Sequence, residues 1–173
     1  MVWTEVRSRV EADLGRSLTP RQLAAAYLVH PAASASLLLR LSDALLARRR
    51  VRLSRLVRAR LANKHGVHIV EGSRIGEALR MHRPVGIVVG SGVRIGDGVH
   101  LYQGVTLGTN PRSERPRGSP SVGDGAVLFA NAVVVGDVSI GAGAVVGASS
   151  FVSADVAPHT TVTGVHTARH SAM

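Results

Sequence analysis

The chain has 173 residues, of which 45% are hydrophobic and 3% aromatic, and its formal net charge is +10. This length allows one domain with a small appendage and excludes a multidomain enzyme. The absence of cysteine excludes a disulfide framework, a thiolate nucleophile and a cysteine-ligated metal site.

Charge and glycine divide the chain into two unlike halves. Residues 1–64 carry thirteen cations against four acids, whereas residues 65–173 carry eight against seven and hold 18 of the 19 glycines. No apolar run approaches the roughly 18 residues that a membrane span needs, and the N-terminus has no apolar signal segment. We therefore expect a soluble cytoplasmic protein without a membrane span.

The first half predicts a small α-helical region over residues 1–64. Alanine, leucine and arginine, which favour helix, dominate its composition. Thr19 before Pro20 is typical of a helix N-cap, and Pro31 is expected to end or restart the helix that precedes it. Leucines then recur at helical spacing. The pattern indicates two or three helices.

Residues 48–64 contain seven arginines and one lysine with no acidic residue. Clustered arginine on a helix is typical of a surface that binds nucleic acid or an anionic membrane. The alternative is a solvated helical face in a protein that uses arginine almost to the exclusion of lysine. We favour the solvated face, because no aromatic residues interleave with the cations to stack on bases. Nucleic acid is therefore not an expected partner.

From residue 75 the sequence repeats every six residues, as in IGDGVH and IGAGAV. Three such hexads form one coil of about 18 residues, whose aliphatic side chains stack on those of the next coil. The sequence thus predicts a mainly β protein with a parallel β-helix over residues 65–169 and a tail at 170–173. In its second half aliphatic residues hold one phase of the repeat: Val122, Leu128, Val134, Ile140, Val146 and Val152.

Residues 109–121, TNPRSERPRGSPS, interrupt the repeat and are rich in proline, serine and charge. Ordinary turns in a solenoid are much shorter. A long loop on one side of a repeat array is more often functional than decorative. This extended loop is the expected place for a lid or a substrate contact.

Two segments resemble the hexapeptide-repeat acyltransferases, and among them the serine acetyltransferases: GIVVGSGVRIGDGVHLYQGVTLG (86–108) and the closing coils that end in PHTTVTGV (122–165). The resemblance implies a left-handed β-helix. It also implies transfer of an acetyl group from acetyl-CoA, or of another acyl group from its acyl-CoA, to serine or a similar small hydroxyl or amine acceptor. In that chemistry a histidine takes the hydroxyl proton, and a carboxylate orients the histidine.

The sequence departs from the family at all three segments that supply those groups. His68 stands where the first segment has its acid. In MHRPVG, His82 falls one residue before the family's histidine and Arg83 takes the place of that histidine, although arginine cannot act as a base. Ser119 stands where the extended loop would have a histidine.

We expect His82 to remain the base, one position removed, with His68 or Glu71 nearby and Arg83 in the site. His100 follows His82 by 18 residues, about one coil, but a two-residue slip between them leaves their stacking open. No metal is expected, because the histidines lack the spacing of a three-histidine zinc site.

The resemblance places the pantetheine arm of the acyl-CoA against small residues of the later coils. The expected contacts are Gly108, Ala130, Ala148 and Arg169. Ala142 and Val145 stand where basic residues are common, so that Arg169 or the arginines of the extended loop would have to bind the phosphates. A carrier protein in place of CoA is the alternative.

Family members bury the flat faces of their coils as trimers, with active sites between subunits, and we expect a homotrimer. Two hypotheses about function remain. The first is an acyl-CoA-dependent acyltransferase for a small acceptor. The second is a diverged relative that does not acetylate, either with different chemistry in the same cleft or as a scaffold that binds a partner protein or enzyme.

Overall fold

The computed structural model describes residues 2–109 and 118–167. Its first part consists of four helices, α1 (Val2–Leu14), α2 (Pro20–Val29), α3 (Pro31–Ala47) and α4 (Val51–His65). The Thr19 N-cap is confirmed: Thr19 Oγ1 accepts a hydrogen bond from the Gln22 amide, and Gln22 Oε1 accepts one from the Thr19 amide. Pro31 starts α3, as the sequence predicts.

The expectation of two or three helices is wrong because the chain also breaks between α3 and α4. Arg49 has a φ of +58°, a left-handed conformation that a helix cannot continue through. Three consecutive arginines at 48–50 give no compositional signal for such a turn. In the described part of the chain no single helix is long and apolar enough to span a membrane. Helices α2 and α3 have the required length and hydropathy only when taken together, and this pair is bent by 113°.

The second part consists of short strands. They are β1 (His68–Ile69), β2 (Arg74–Ile75), β3 (Arg80–His82), β4 (Val88–Val89), β5 (Arg94–Ile95), β6 (His100–Tyr102), β7 (Thr106–Gly108), β8 (Ser121–Val122), β9 (Val127–Leu128), β10 (Val133–Val135), β11 (Ser139–Ile140), β12 (Val145–Val146), β13 (Phe151–Val152), β14 (Thr161–Val162) and β15 (Val165–His166).

The strands form three parallel sheets that the chain visits in turn. The first sheet has the order β1-β4-β7-β10-β13-β15, the second β11-β8-β5-β2 and the third β14-β12-β9-β6-β3. Pairing always joins one coil to the next, as in Val88 with Thr106 and Val133 with Phe151. This arrangement is the predicted parallel β-helix.

The first coil is two residues longer than the regular repeat. His68 pairs with Val88 and Arg80 with His100, a step of 20 residues, whereas Val88 pairs with Thr106 after 18. The predicted two-residue slip therefore lies inside the first coil. It decides which outward-facing side chains become neighbours.

The interior of the coils is aliphatic, as the repeat predicts. All six residues of the predicted phase, from Val122 to Val152, are at most 3% exposed. The helices cover the first coil, since Leu39 of α3 and Leu61 of α4 belong to the same buried cluster as Val67 and Ile69. Burial of this continuous apolar column is the main stabilising contribution.

A buried ion pair joins α1 to α3, and its arginine also binds the first coil. Arg40 of α3 donates two hydrogen bonds to the Asp13 carboxylate of α1, at 2.8 and 2.6 Å, and one to the Gly76 carbonyl at 2.7 Å. Ser36 Oγ also donates to Asp13. Arg40 is 0% exposed, so loss of either charge would leave the other unpaired in the interior.

Candidate active site

The candidate site lies on the outer face of the third sheet, where β3 and β6 lie side by side. Side chains alternate along a strand, so Met81 and Leu101 face the core while the residues on either side of them face outward. The register pairs Arg80 with His100 and His82 with Tyr102. Four polar or aromatic side chains from two coils thus form one outward cluster.

Two histidines contact each other in this cluster. His82 Nε2 lies 3.2 Å from His100 Nδ1, a hydrogen-bonding distance. The His82 ring also stacks on Tyr102, with ring centres 4.5 Å apart and planes inclined by 19°, and Tyr102 in turn contacts Phe129 at 4.9 Å. The ring contacts on the next coils fix the orientation of His82.

Both histidines are held in their neutral form. Burial lowers the pKa of His82 below its usual 6.5, and the positive charge of Arg80 lowers it further. Burial likewise lowers the pKa of His100, with smaller contributions from His82 and Arg80. In its neutral form each ring has one nitrogen with a lone pair, and the ring that donates the shared hydrogen bond keeps its lone pair free, which is what a general base requires.

His82 borders two cavities. The inner cavity, of about 160 Å³, lies between the helices and β3, and its polar lining is Asp13, Ser36, Arg80 and His82. The outer cavity, of about 460 Å³, is lined by His82, Arg83, Tyr102 and Gln103. A base at the junction of a small polar cavity and a larger one can contact two different molecules.

Arg80 forms one wall of the inner cavity. Its guanidinium packs so closely against Gly15, just after α1, that a Cβ at Gly15 would lie 2.6 Å from Nη2. Within residues 2–109 and 118–167 Arg80 has no ion-pair partner. The cavity thus contains a cation free to bind an anionic group beside His82.

The structure separates the predicted catalytic residues. Arg83 follows His82 in a tight turn, with φ of +50° and its carbonyl accepting from the Val85 amide, and it lines the outer cavity. His68 lies on the first sheet, and none of the described contacts joins it to His82. Glu71 is bound by Arg55 at 2.9 Å. The expectation that His68 or Glu71 lies near His82 is therefore wrong; His100 occupies that place.

The predicted CoA contacts fall in three places. Ala130 and Ala148 occupy equivalent turns on successive coils between the third and first sheets, where the Ser149 amide donates to the Ala130 carbonyl. Gly108 ends β7, at the corner between the first and second sheets, and no atom of the described residues lies within 4 Å of a Cβ placed on it. Arg169 and the loop residues 110–117 lie outside the described residues.

Sequence reasoning missed the residues that surround His82. Tyr102 and Gln103 join the site because the first coil has 20 residues, which places Tyr102 rather than His100 opposite His82, while Arg80 lies on the same strand as His82. The two-residue slip in the repeat is the sequence feature that could have predicted this register. Among the described residues no group of three histidine, aspartate or glutamate side chains is arranged to bind a metal.

Comparison with known proteins first identifies the class of protein to which the repeats belong. The family model of the bacterial transferase hexapeptide, six repeats, matches residues 119–154. A serine acetyltransferase of Staphylococcus xylosus is 35% identical over 100 residues, 58% of this chain and 46% of the relative. A probable serine acetyltransferase of Oryza sativa is 39% identical over 112 residues, 65% of this chain and 31% of the relative. The chain thus spans less than half the length of these curated relatives.

A solved structure extends the match over nearly the whole chain. The apoenzyme of soybean serine acetyltransferase is 33% identical, with a TM-score of 0.79, and the alignment covers 93% of this chain and 67% of the soybean chain. The chain belongs to the serine acetyltransferase-like family of hexapeptide-repeat acyltransferases. Its β-helix is accordingly left-handed, as the resemblance implied.

Proposed function

We propose that the protein is an acyl-CoA-dependent O-acyltransferase that acetylates serine or a similar small acceptor. The observation that carries the proposal is the His82–His100 hydrogen bond beside a small cavity containing Arg80. Relatives named as serine acetyltransferases support the choice of reaction, and the soybean enzyme has been solved in complex with serine.

His82 is the general base in this proposal, and His100 positions it. When His82 donates its Nε2 proton to His100 Nδ1, its own Nδ1 keeps a free lone pair. That nitrogen takes the acceptor's hydroxyl proton as the oxygen attacks the thioester carbonyl. The C–O bond forms, the C–S bond breaks, and the thiolate that leaves receives the proton back from His82.

The inner cavity is the proposed acceptor subsite. A molecule the size of serine fits about 160 Å³, and its carboxylate would bind the Arg80 guanidinium while its hydroxyl faces His82. The outer cavity, with Arg83 and Gln103, is then left for the thioester end of the acyl-CoA. His68 has no role in this arrangement.

The acyl-CoA is proposed to lie along the turns that contain Ala130 and Ala148. Small side chains on successive coils leave room for an extended arm, and the described residues leave space beside Gly108 for a second contact further along. Arg169 remains the proposed phosphate contact. Since these turns lie at an edge of the β-helix, we propose that a second subunit of a homotrimer closes the groove.

The experiment is a thiol-release assay with acetyl-CoA and L-serine, with the product identified by mass spectrometry. We expect turnover by the wild-type protein and a loss of at least about a hundredfold in His82→Ala, because a general base contributes at least that much. His68→Ala is the matched control and is expected to retain activity. Turnover unchanged in His82→Ala would contradict the assignment of the base.

A diverged relative without acetyl transfer is the second candidate, and Ser119 favours it. This residue stands where the family's loop histidine would be, and its hydroxyl donates to the Ser91 carbonyl of the preceding coil at 2.9 Å. This hydrogen bond links two coils and gives Ser119 a structural role rather than a catalytic one. Absence of thiol release with every amino acid tested, in a protein that is folded by circular dichroism, would favour this candidate.

A further inference from the structure

The outward face of α4 and the turn before it form one cationic and apolar surface, which we call the arginine surface. Its cations are Arg49, Arg50, Arg52 and Arg60, and its apolar side chains are Val51, Leu53 and Leu56. The opposite face of α4 contributes Ser54, Leu61 and His65 to the interior. The arginine surface is thus the side of α4 that the other described residues leave open.

The arginines of this surface have no partners within the described residues. Neighbouring arginines do: Arg48 pairs with Glu5, Arg55 with Glu71 and Arg58 with Asp43. No acidic residue occurs between Asp43 and Glu71 in the sequence. The four unpaired cations therefore create a local positive potential that nothing on this face neutralises.

Apolar side chains lie among these cations and are unusually exposed. Leu56 is 67% exposed, Leu53 46% and Val51 37%. At helical spacing Arg52, Leu53, Leu56 and Arg60 share one face, so the leucines lie between arginines. A cavity of about 400 Å³ opens along residues 49–53. Leucines flanked by arginines are the composition of a helix that lies in a membrane interface.

We infer that the arginine surface binds an anionic phospholipid membrane. Arginine binds phosphate groups through paired N–H donors, and each cation near an anionic bilayer strengthens binding about fivefold. On such a membrane Leu53 and Leu56 gain an apolar environment by entering the acyl region. The inference concerns a surface remote from His82 and holds whether or not the protein transfers acyl groups.

The other possible occupants fit the surface less well. A second copy of the chain would bring four unpaired arginines against four more, and like charges repel. Nucleic acid would satisfy the arginines, but the surface has no aromatic side chain to stack on bases, and the leucines would stay exposed to water. An anionic lipid surface satisfies both kinds of side chain.

Vesicle sedimentation of the full chain tests the inference. We expect binding to phosphatidylcholine vesicles that contain about 30% phosphatidylglycerol, no binding to phosphatidylcholine alone, and weakening by salt. The variant R50Q/R52Q is expected to bind about 25-fold more weakly. R74Q/R94Q removes the same charge from exposed arginines of the second sheet and is expected to change binding by less than about threefold.

The leucines give the second readout. L53S/L56S keeps every charge and is expected to weaken vesicle binding at least fivefold while the circular dichroism spectrum is unchanged. Three results would overturn the inference: no sedimentation with phosphatidylglycerol vesicles, equal losses in R50Q/R52Q and R74Q/R94Q, or full binding by L53S/L56S. A wild-type dimer that L53S/L56S abolishes would also overturn it, because the surface would then belong to a second copy.

Discussion

In the proposed mechanism His82 and His100 differ from a histidine paired with a carboxylate, because the pKa of both rings is lowered and neither partner is an acid. A carboxylate beside a histidine raises the histidine pKa, whereas here burial and Arg80 lower it. The proposed base is consequently weaker, and its neutral form persists to a lower pH than that of an ordinary histidine. In the tautomer that the proposal uses, His82 donates to His100, and this hydrogen bond becomes charge-assisted once His82 has taken the proton.

The lowered pKa predicts the pH dependence of acyl transfer. The active, neutral form of His82 is present above its pKa and is lost as the pH falls through it, so the rising limb of kcat/KM against pH is expected to have its midpoint below 6.5. Arg80→Gln removes a cation that disfavours protonation and is expected to move the midpoint upward. Arg94→Gln is the control. A wild-type midpoint at or above 6.5 would be incompatible with this account.

Among the elements, the turns after the second sheet determine how closely the coils approach. Gly76, Gly96, Gly123 and Gly141 stack at this corner, and at each of them a Cβ would run into the next coil. At Gly123 the obstruction is the Ala142 backbone nitrogen, 2.6 Å from the Cβ position. Backbone cannot move aside as the end of a flexible side chain can, so glycine is required for coil-to-coil contact.

Gly123→Ala is expected to lower the thermal midpoint of unfolding by about 3–10 °C, because overpacking against backbone costs about 1–3 kcal/mol. Gly108→Ala is the matched control, since the same added methyl group meets no atom of residues 2–109 and 118–167 within 4 Å. We expect its midpoint to lie within about 2 °C of the wild type. Differential scanning fluorimetry distinguishes the two, and equal midpoints would show that the coils can separate at this corner.

The elements also show how far sequence reasoning extends. The six-residue period predicts that the aliphatic residues from Val122 to Val152 face the interior, and their burial confirms this prediction. It could be made from the sequence because it depends only on one position of the repeat. The break at Arg49 depends on a backbone conformation that arginine does not signal. The His82–His100 contact needs the register between coils and two rotamers, so its distance could not follow from the sequence.

The whole molecule concentrates positive charge at one end. The four helices carry most of the excess cations and cover the first coil, while the later coils are nearly neutral. Exposed aromatic residues lie on the later coils, near the corner between the third and first sheets, where Phe129 is 37% and Phe151 40% exposed. Large apolar rings at a coil corner are suited to contact with a neighbouring subunit.

Light scattering is expected to give a mass of about 54 kDa, three times the 18.1 kDa of the chain. Phe151→Ser is expected to shift the protein toward smaller species, because it removes an exposed ring from the proposed interface. Leu28→Ser, which changes a leucine that is 78% exposed on α2, is the control and is expected to leave the mass unchanged. A wild-type mass near 18 kDa would contradict the homotrimer.

The stacked glycines set the spacing between coils, and the contact between His82 and His100 depends on that spacing. Gly76 faces the backbone of Gly96, and these two residues belong to the same successive coils that hold His82 and His100. Neighbouring coils lie about 4.8 Å apart, and a hydrogen bond between side chains of different coils depends on that spacing. In the proposed mechanism the reactivity of His82 therefore depends partly on the pitch of the solenoid. A methyl group at Gly76, on another edge of the molecule, is expected to lengthen the distance between His82 Nε2 and His100 Nδ1 without touching either ring.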